Sequence, residues 1–279
     1  MRTTAHRVLI TGGAKGIGLA LAKVFHAAGN EVILVGRDAE ALAIAATHMQ
    51  GARTRVADVA SADECAQLAS EFREITILVN NAGIQRNGDF SAMPAAEIEH
   101  ELRVNLVAPM LLAHAFLPHL RRQSEAAVVN VSSVLALVPK QSASVYCASK
   151  AGIHSFSRSL RWQLEGTGIR VFEVMPPLVD TEMTAGRGSG KISPDALATE
   201  FWTGFAANKF ELRIGKAKVA GLIARFVPSL AERIVRRAYP VTANPSLKRS
   251  ANGRPPGPVW RYAVHFRQSG RGVLPLSPD

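Results

Sequence analysis

Short β-branched and aliphatic runs alternate along the chain with longer stretches of helical periodicity. RVLIT (7–11) precedes GIGLALAKVFHAAG (16–29), EVILVG (31–36) precedes DAEALAIAATHMQ (38–50), ARTRVAD (52–58) precedes SADECAQLASEFRE (61–74), and ITILVN follows at 75–80. The strand runs are nearly all apolar instead of alternating, the pattern of a parallel sheet covered by helices on both faces. Strand, helix and strand in succession predict βαβαβ winding.

Local signals agree. Gly29 stands where a left-handed residue ends a helix, and Ser61 with Glu64 predicts a capping box. Downstream, the pattern predicts a long helix over 95–121 bent or interrupted at Pro109 and Pro118, a strand over 126–133, a helix over 144–165 and a strand over 169–175. After a Gly-rich loop, Ser193 and Pro194 read as N-cap and first position of a helix reaching about Ala207, and FELRI (210–214) reads as a last strand. The expected fold is α/β, a Rossmann-type doubly wound parallel sheet of about seven strands.

A chain of 279 residues that is 47% hydrophobic can bury one substantial core. We assign residues 1–215 to one domain, 216–239 to a basic amphipathic helix, and 240–279, rich in Pro, Gly, Ser and Arg, to a disordered tail. Cys65 and Cys147 are too few for a disulfide framework and neither sits in a metal-ligand spacing, so no metal site is expected and a reducing, cytoplasmic compartment is. The N-terminal apolar piece breaks at glycines after a few residues, too short for a signal region or a membrane span.

Charge is unevenly spread. Residues 1–198 hold 19 Lys/Arg against 18 Asp/Glu, whereas 199–279 hold 14 against 4. The basic segment lacks the patterns of RNA- or DNA-binding modules, which argues against nucleic acid as a partner.

TGGAKGIG follows the first strand and opens the first helix, the context of a phosphate-binding turn. Gly12, Gly16 and Gly18 allow the tight turn and a close approach of backbone to pyrophosphate, with the helix N–H groups meeting the negative charge. A turn with no ligand is the plain alternative. At the end of the second strand a carboxylate would suit the NAD ribose, yet Arg37 stands there, and Lys15 lies inside the glycine loop. Two cations at that end favour NADP(H), although Arg37 also reads as a surface charge paired with Asp38. Asp58, after the third strand, would meet an adenine amino group or cap the next helix.

Tyr146 and Lys150 in SVYCASK share one helix face. An ammonium near a phenol favours phenolate and lowers a pKa that begins near 10, toward the range where a proton can be exchanged with an oxygen that gains or loses hydride. Ser133 offers that oxygen a hydrogen bond.

TGGAKGIG, NNAG (80–83), Asn105, Ser133 with Tyr146 thirteen residues on, and YCASK, all in this order, resemble the short-chain dehydrogenase/reductases over roughly residues 6–215. NNAGIQRN, PPLVDTEMT and ELRIGKAK resemble more narrowly the DltE-like bacterial branch. The resemblance implies Tyr146 as general acid/base and Lys150 as the group that lowers its pKa and binds the nicotinamide ribose. It implies further that Ser133, not Ser132, orients the substrate and that Asn105 holds a water of the proton relay. Around the cofactor it implies Gly12, Lys15, Gly16, Ile17, Gly18, Arg37, Asp58, Val59, Asn80, Ala82, Gly83, Pro176, Val179 and Thr181. Pro177 departs from the usual Pro-Gly after the sixth strand.

The segment after Thr181 is expected to close over a hydrophobic ketone or alcohol, with Leu135, Leu137, Met183 and Gln85 near the pocket. The resemblance implies a homodimer or homotetramer. Residues 217–238 read either as a helix packed on its own domain or a partner subunit, or as a basic helix on an anionic membrane surface at the inner face. The rival from another class is a dinucleotide-sensing module without turnover, acting through its basic segment on membrane or nucleic acid; an intact Ser133, Tyr146 and Lys150 set argues against it.

Overall fold

In the computed structural model, residues 1–227, Ser229 and Val235 are described. Strands β1 (Arg7–Thr11), β2 (Glu31–Gly36), β3 (Arg53–Val56), β4 (Ile77–Asn80), β5 (Ala126–Val131), β6 (Ile169–Met175) and β7 (Glu211–Arg213) form one sheet in the order β3-β2-β1-β4-β5-β6-β7. Every pairing is parallel. The central strands β4 and β5 are buried at every position, which is why they carry apolar residues on both faces. The edge strand β3 is polar instead, with Arg53 and Arg55 paired to Glu74 and Glu71.

Helices α1 (Gly16–Ala27), α2 (Ala39–Thr47) and α7 (Pro194–Ala206) cover one face of the sheet. The other face carries α3 (Ala62–Glu71), α5 (Ala108–Leu120) and α6 (Ser144–Gln163). The buried Phe25 of α1 meets Phe201, Trp202 and Phe205 of α7 edge-on at 5.8, 5.3 and 5.5 Å between ring centres, an arrangement that rings favour over face-to-face stacking. Gly29 has φ +80° just beyond α1, as expected.

Two details differ from the pattern-based expectation. Ser61 caps α3 by accepting from Glu64 N, but the Glu64 carboxylate takes the Asp58 N–H, while Ser61 N bonds to Asp58 O, so the capping box is only half formed. The expected 95–121 helix consists of α4 (Ala95–Leu102), a wide π turn (Arg103–Val107) and α5. Pro109 has no N–H to offer the Asn105 carbonyl four residues back, and Ala108 N reaches five residues back to Arg103 O. Pro118 sits inside α5 without ending it.

A last described helix, α8 (Ala217–Phe226), exposes Val219, Leu222 and Phe226. Apart from the residues named above, the rest of the expected 217–238 helix and the 240–279 tail lie outside the described residues. Among these, no helix is long and apolar enough to cross a membrane. The chain reverses direction of winding between β1 and β4, and the crevice at the carboxyl ends of those strands is where open α/β sheets take ligands.

Candidate active site

The glycine loop leaves β1 with Gly12 at φ +63° and Gly16 at φ +54°, the left-handed region where a side chain is strained. At Gly18 a Cβ would lie 2.1 Å from the Gly12 carbonyl oxygen, so only glycine lets helix and loop close on each other. The first turn of α1 has no side-chain capping bond and no acidic residue, leaving its N–H groups for an anion. Asn81, a residue the sequence reading passed over, fastens this loop: its Nδ2 donates to Thr11 O at 3.0 Å and Gly12 O at 3.2 Å. The Asn81 and Ala82 N–H groups both donate to Thr11 Oγ1.

A groove of about 140 Å³ runs between Gly12, Arg37, Asp58, Val59, Ala82 and Gly83. Arg37 is exposed, and Asp38 is engaged in capping α2 through Ala41 N at 3.0 Å. Asp58 Oδ1 accepts from Ala60 N at 3.0 Å while lining the groove. Lys15 lies 3.3 Å from Glu182 Oε1; both side chains are mostly exposed, so this pair is weak and readily exchanged. Glycines at close approach, an uncapped helix terminus and two exposed cations fit the phosphates of a dinucleotide.

A larger cavity of about 520 Å³ is bordered by Ile17, Ser133, Tyr146, Pro176, Val179 and Thr181. Pro177, Leu135, Met183 and Gln85 also line it. Leu137 is not among its described lining residues, whereas Val138 is. Ser133 caps this turn by accepting from Leu135 N at 3.1 Å, whereas Ser132 donates into the sheet at Val174 O.

Lys150 is buried one turn below Tyr146, with Nζ 5.6 Å from the phenol ring centre and donating to Val131 O at 2.9 Å. Gly83 lies against it: a Cβ there would sit 3.6 Å from Lys150 Nζ and 3.3 Å from Asn105 Oδ1. Asn105, in the π turn, spends its side chain on Ile84 and on Ser149 Oγ. Asn80 is not among the described lining residues of either cavity; it donates to Asn130 Oδ1 at 2.9 Å, and Asn130 donates to Ser157 of α6.

The electrostatics correct the simplest expectation for the Tyr–Lys pair. Burial pushes the Tyr146 phenol up to about 12, against the pull of the Ser133 hydroxyl, and Lys150 is not among the groups that move it. Burial also brings the Lys150 ammonium down to about 8, with Glu101 and Glu173 opposing. Desolvation outweighs the attraction of a cation held by a backbone carbonyl. Tyr146 is half-buried and still borders the cavity. Glu101, which the sequence reading also passed over, is fully buried one turn before Asn105, and its Oε1 accepts from Arg86 N at 3.2 Å.

Residues 6–191 match the family model described as short chain dehydrogenase. The chain belongs to the short-chain dehydrogenase family. It is thus an oxidoreductase, and its DltE-like character is seen in a 44% identity over 187 residues to the "Uncharacterized oxidoreductase DltE" of Bacillus subtilis (strain 168), covering 65% of this chain and 74% of that one. Among solved members of the fold, the short chain dehydrogenase from Burkholderia cenocepacia J2315 in complex with NADP superposes with a TM-score of 0.78, at 24% identity over 84% of this chain and 99% of that one. The short-chain dehydrogenase/reductase from Burkholderia phymatum in complex with NAD gives a TM-score of 0.75, at 22% identity over 84% and 96%.

Proposed function

We propose that the protein is an NADP(H)-dependent reductase of carbonyl compounds, running also in reverse on secondary alcohols, with Tyr146 as general acid/base. The observation that supports this best is the sharing of one cavity by the Ser133 hydroxyl, the Tyr146 phenol and the first turn of α1 through Ile17. A dinucleotide on the glycine loop supplies or accepts the hydride.

The residues of the chain divide the remaining work. Gly12, Gly16 and Gly18 admit the pyrophosphate to the N–H groups of α1, and Asp58, Val59, Ala82 and Gly83 hold the adenosine side. Lys15 and Arg37 take the 2′-phosphate, Lys15 by exchanging its loose contact with Glu182. Pro176, Val179 and Thr181 border the nicotinamide. Ser133 orients the substrate oxygen. Tyr146 holds its proton at neutral pH, as any phenol does and the more firmly with its pKa pushed up to about 12, and supplies the proton that a reduced carbonyl must receive. Lys150 sits beneath, its charge turned toward Val131 O and the ribose, and Asn105 holds the loop at Ile84 against it.

The test is NADPH oxidation across a panel of ketones and aldehydes with an apolar body, suited to the walls formed by Leu135, Val138 and Met183. Turnover abolished in Tyr146→Phe supports the reading; a panel with no turnover, or a phenylalanine variant at full rate, refutes it.

A further inference from the structure

A buried carboxylate stands behind the Tyr146–Lys150 pair and has no part in the chemistry proposed above. Glu101, near the end of α4, is 0% exposed. Its Oε1 accepts from Arg86 N at 3.2 Å, while Oε2 is buried with no hydrogen-bond partner among the described residues. One turn further along, Asn105 grips Ile84, so the two side chains fasten the 84–86 segment from one side and fix Glu101 in place. Lys150 lies across Gly83 from Asn105: a Cβ on that glycine would be 3.3 Å from Asn105 Oδ1 and 3.6 Å from Lys150 Nζ. Carboxylate, amide and ammonium thus gather around residues 83–86.

The hydrogen bond that Lys150 makes does little for its charge. Its Nζ donates to Val131 O at 2.9 Å, a neutral acceptor. Burial drives a lysine to release its proton, and an opposite charge nearby opposes that release. Among the described residues two carboxylates act on Lys150, Glu101 first and Glu173 of β6 after it. Glu173 is held by His154 Nδ1 at 2.9 Å and also acts on Arg161, so its charge is shared. The other titratable groups that bear on Glu101, or on which it bears, are Arg86, Glu97 of its own helix, and Tyr146 and Cys147 of α6. Arg86 turns to Glu97, its Nε 3.6 Å from that carboxylate. Burial holds Glu101 above the ordinary carboxylate range, so the fold carries this charge at a cost in stability. Buried groups shifted in this way concentrate where chemistry uses them.

We propose that Glu101 is the counter-charge of Lys150, a positioning residue that keeps a cation beneath Tyr146 into the mildly alkaline range. Glu101 is not among the described lining residues of either cavity, so it acts on the reaction through Lys150. This rests on the reading of the cavity as a carbonyl-reducing site and adds a member to it.

The test uses Glu101→Gln, which keeps an acceptor for Arg86 N and removes the charge. The ligand-free full chain is unfolded in urea across the neutral and alkaline range. The wild-type midpoint is expected to rise from about pH 8, where folded Lys150 releases a proton that the unfolded chain keeps. In Glu101→Gln that rise is expected to begin earlier, by about half a pH unit or more. With NADPH and a ketone that is turned over, the alkaline limb of kcat/KM is expected to move the same way. Glu97→Gln, which removes a part-exposed charge from the same helix, is expected to leave both where they are. Glu101→Met repeats both measurements should the glutamine variant fold poorly. A smaller displacement of the urea rise, a limb that stays in place while the rise moves, or an equal movement in Glu97→Gln overturns the inference. Absence of turnover with every ketone overturns the carbonyl-reducing reading instead, and the urea arm then still decides whether Glu101 and Lys150 form a charge pair.

Discussion

Asn105 clasps the peptide of Ile84 from both sides, its Oδ1 accepting from Ile84 N at 2.8 Å and its Nδ2 donating to Ile84 O at 2.8 Å. That clasp anchors the stretch after NNAG to the helix layer, directly beside Gly83 and Lys150. Asn105→Ala leaves both backbone groups and Ser149 Oγ to find other partners, and it is expected to lower stability by about 2 kcal/mol, read from urea unfolding. Asn105→Asp keeps the acceptor and loses the donor, so it is expected to fall between the two only below the carboxylate titration range.

Tyr146→Phe is expected to lower NADPH-dependent carbonyl reduction by about 100-fold or more, the usual worth of a positioned proton donor. Cofactor affinity, followed by NADPH fluorescence, is expected to stay within about threefold, since no charge or helix contact is removed.

Arg37 stands exposed at the groove and Lys15 is tied only to an exposed Glu182. Arg37→Ala is expected to lower the NADPH over NADH preference, measured as the ratio of kcat/KM values, by about tenfold, the effect of one charge-assisted phosphate contact. An unchanged ratio assigns the 2′-phosphate elsewhere.

The folded-state pKa of Lys150 is about 8 against an ordinary 10.5. Between these values the unfolded chain keeps a proton that the folded chain has released, so stability rises with pH from about 8 toward 10.5, and below about 8 the buried cation costs up to roughly 3 kcal/mol. Urea midpoints of the ligand-free protein across that window are expected to climb less steeply in Lys150→Met than in the wild type.

Glu101 runs in the opposite sense. Burial raises its pKa, against the Arg86 N–H that it accepts, so its contribution is present in acid and is lost as pH rises through the raised value. Thermal melts of Glu101→Gln and wild type are expected to diverge as pH rises toward neutral, the glutamine variant being the more stable.

Much of this molecule can be read along the chain because its information is local. Buried parallel strands demand unbroken apolar runs, a phosphate turn demands Gly12, Gly16 and Gly18, and the 146/150 spacing places two groups on one face of α6. What escaped the reading depends on partners distant in sequence. Asn81 gains its role from β1, seventy residues away. Its one local signal was the doubled asparagine ending β4. The inversion of the Tyr146 pKa has the same origin: spacing tells which groups are neighbours, whereas burial, a property of the assembled core, decides which influence wins.

Pro109 also dictates where an asparagine points. Give that position an amide hydrogen and the backbone is free to rewind to its tighter pitch; taking up the surplus residue would swing the preceding turn by roughly 100° and carry the Asn105 amide off its loop. The bearing of a polar side chain is thus set by a hydrogen atom that a ring four residues later does not have.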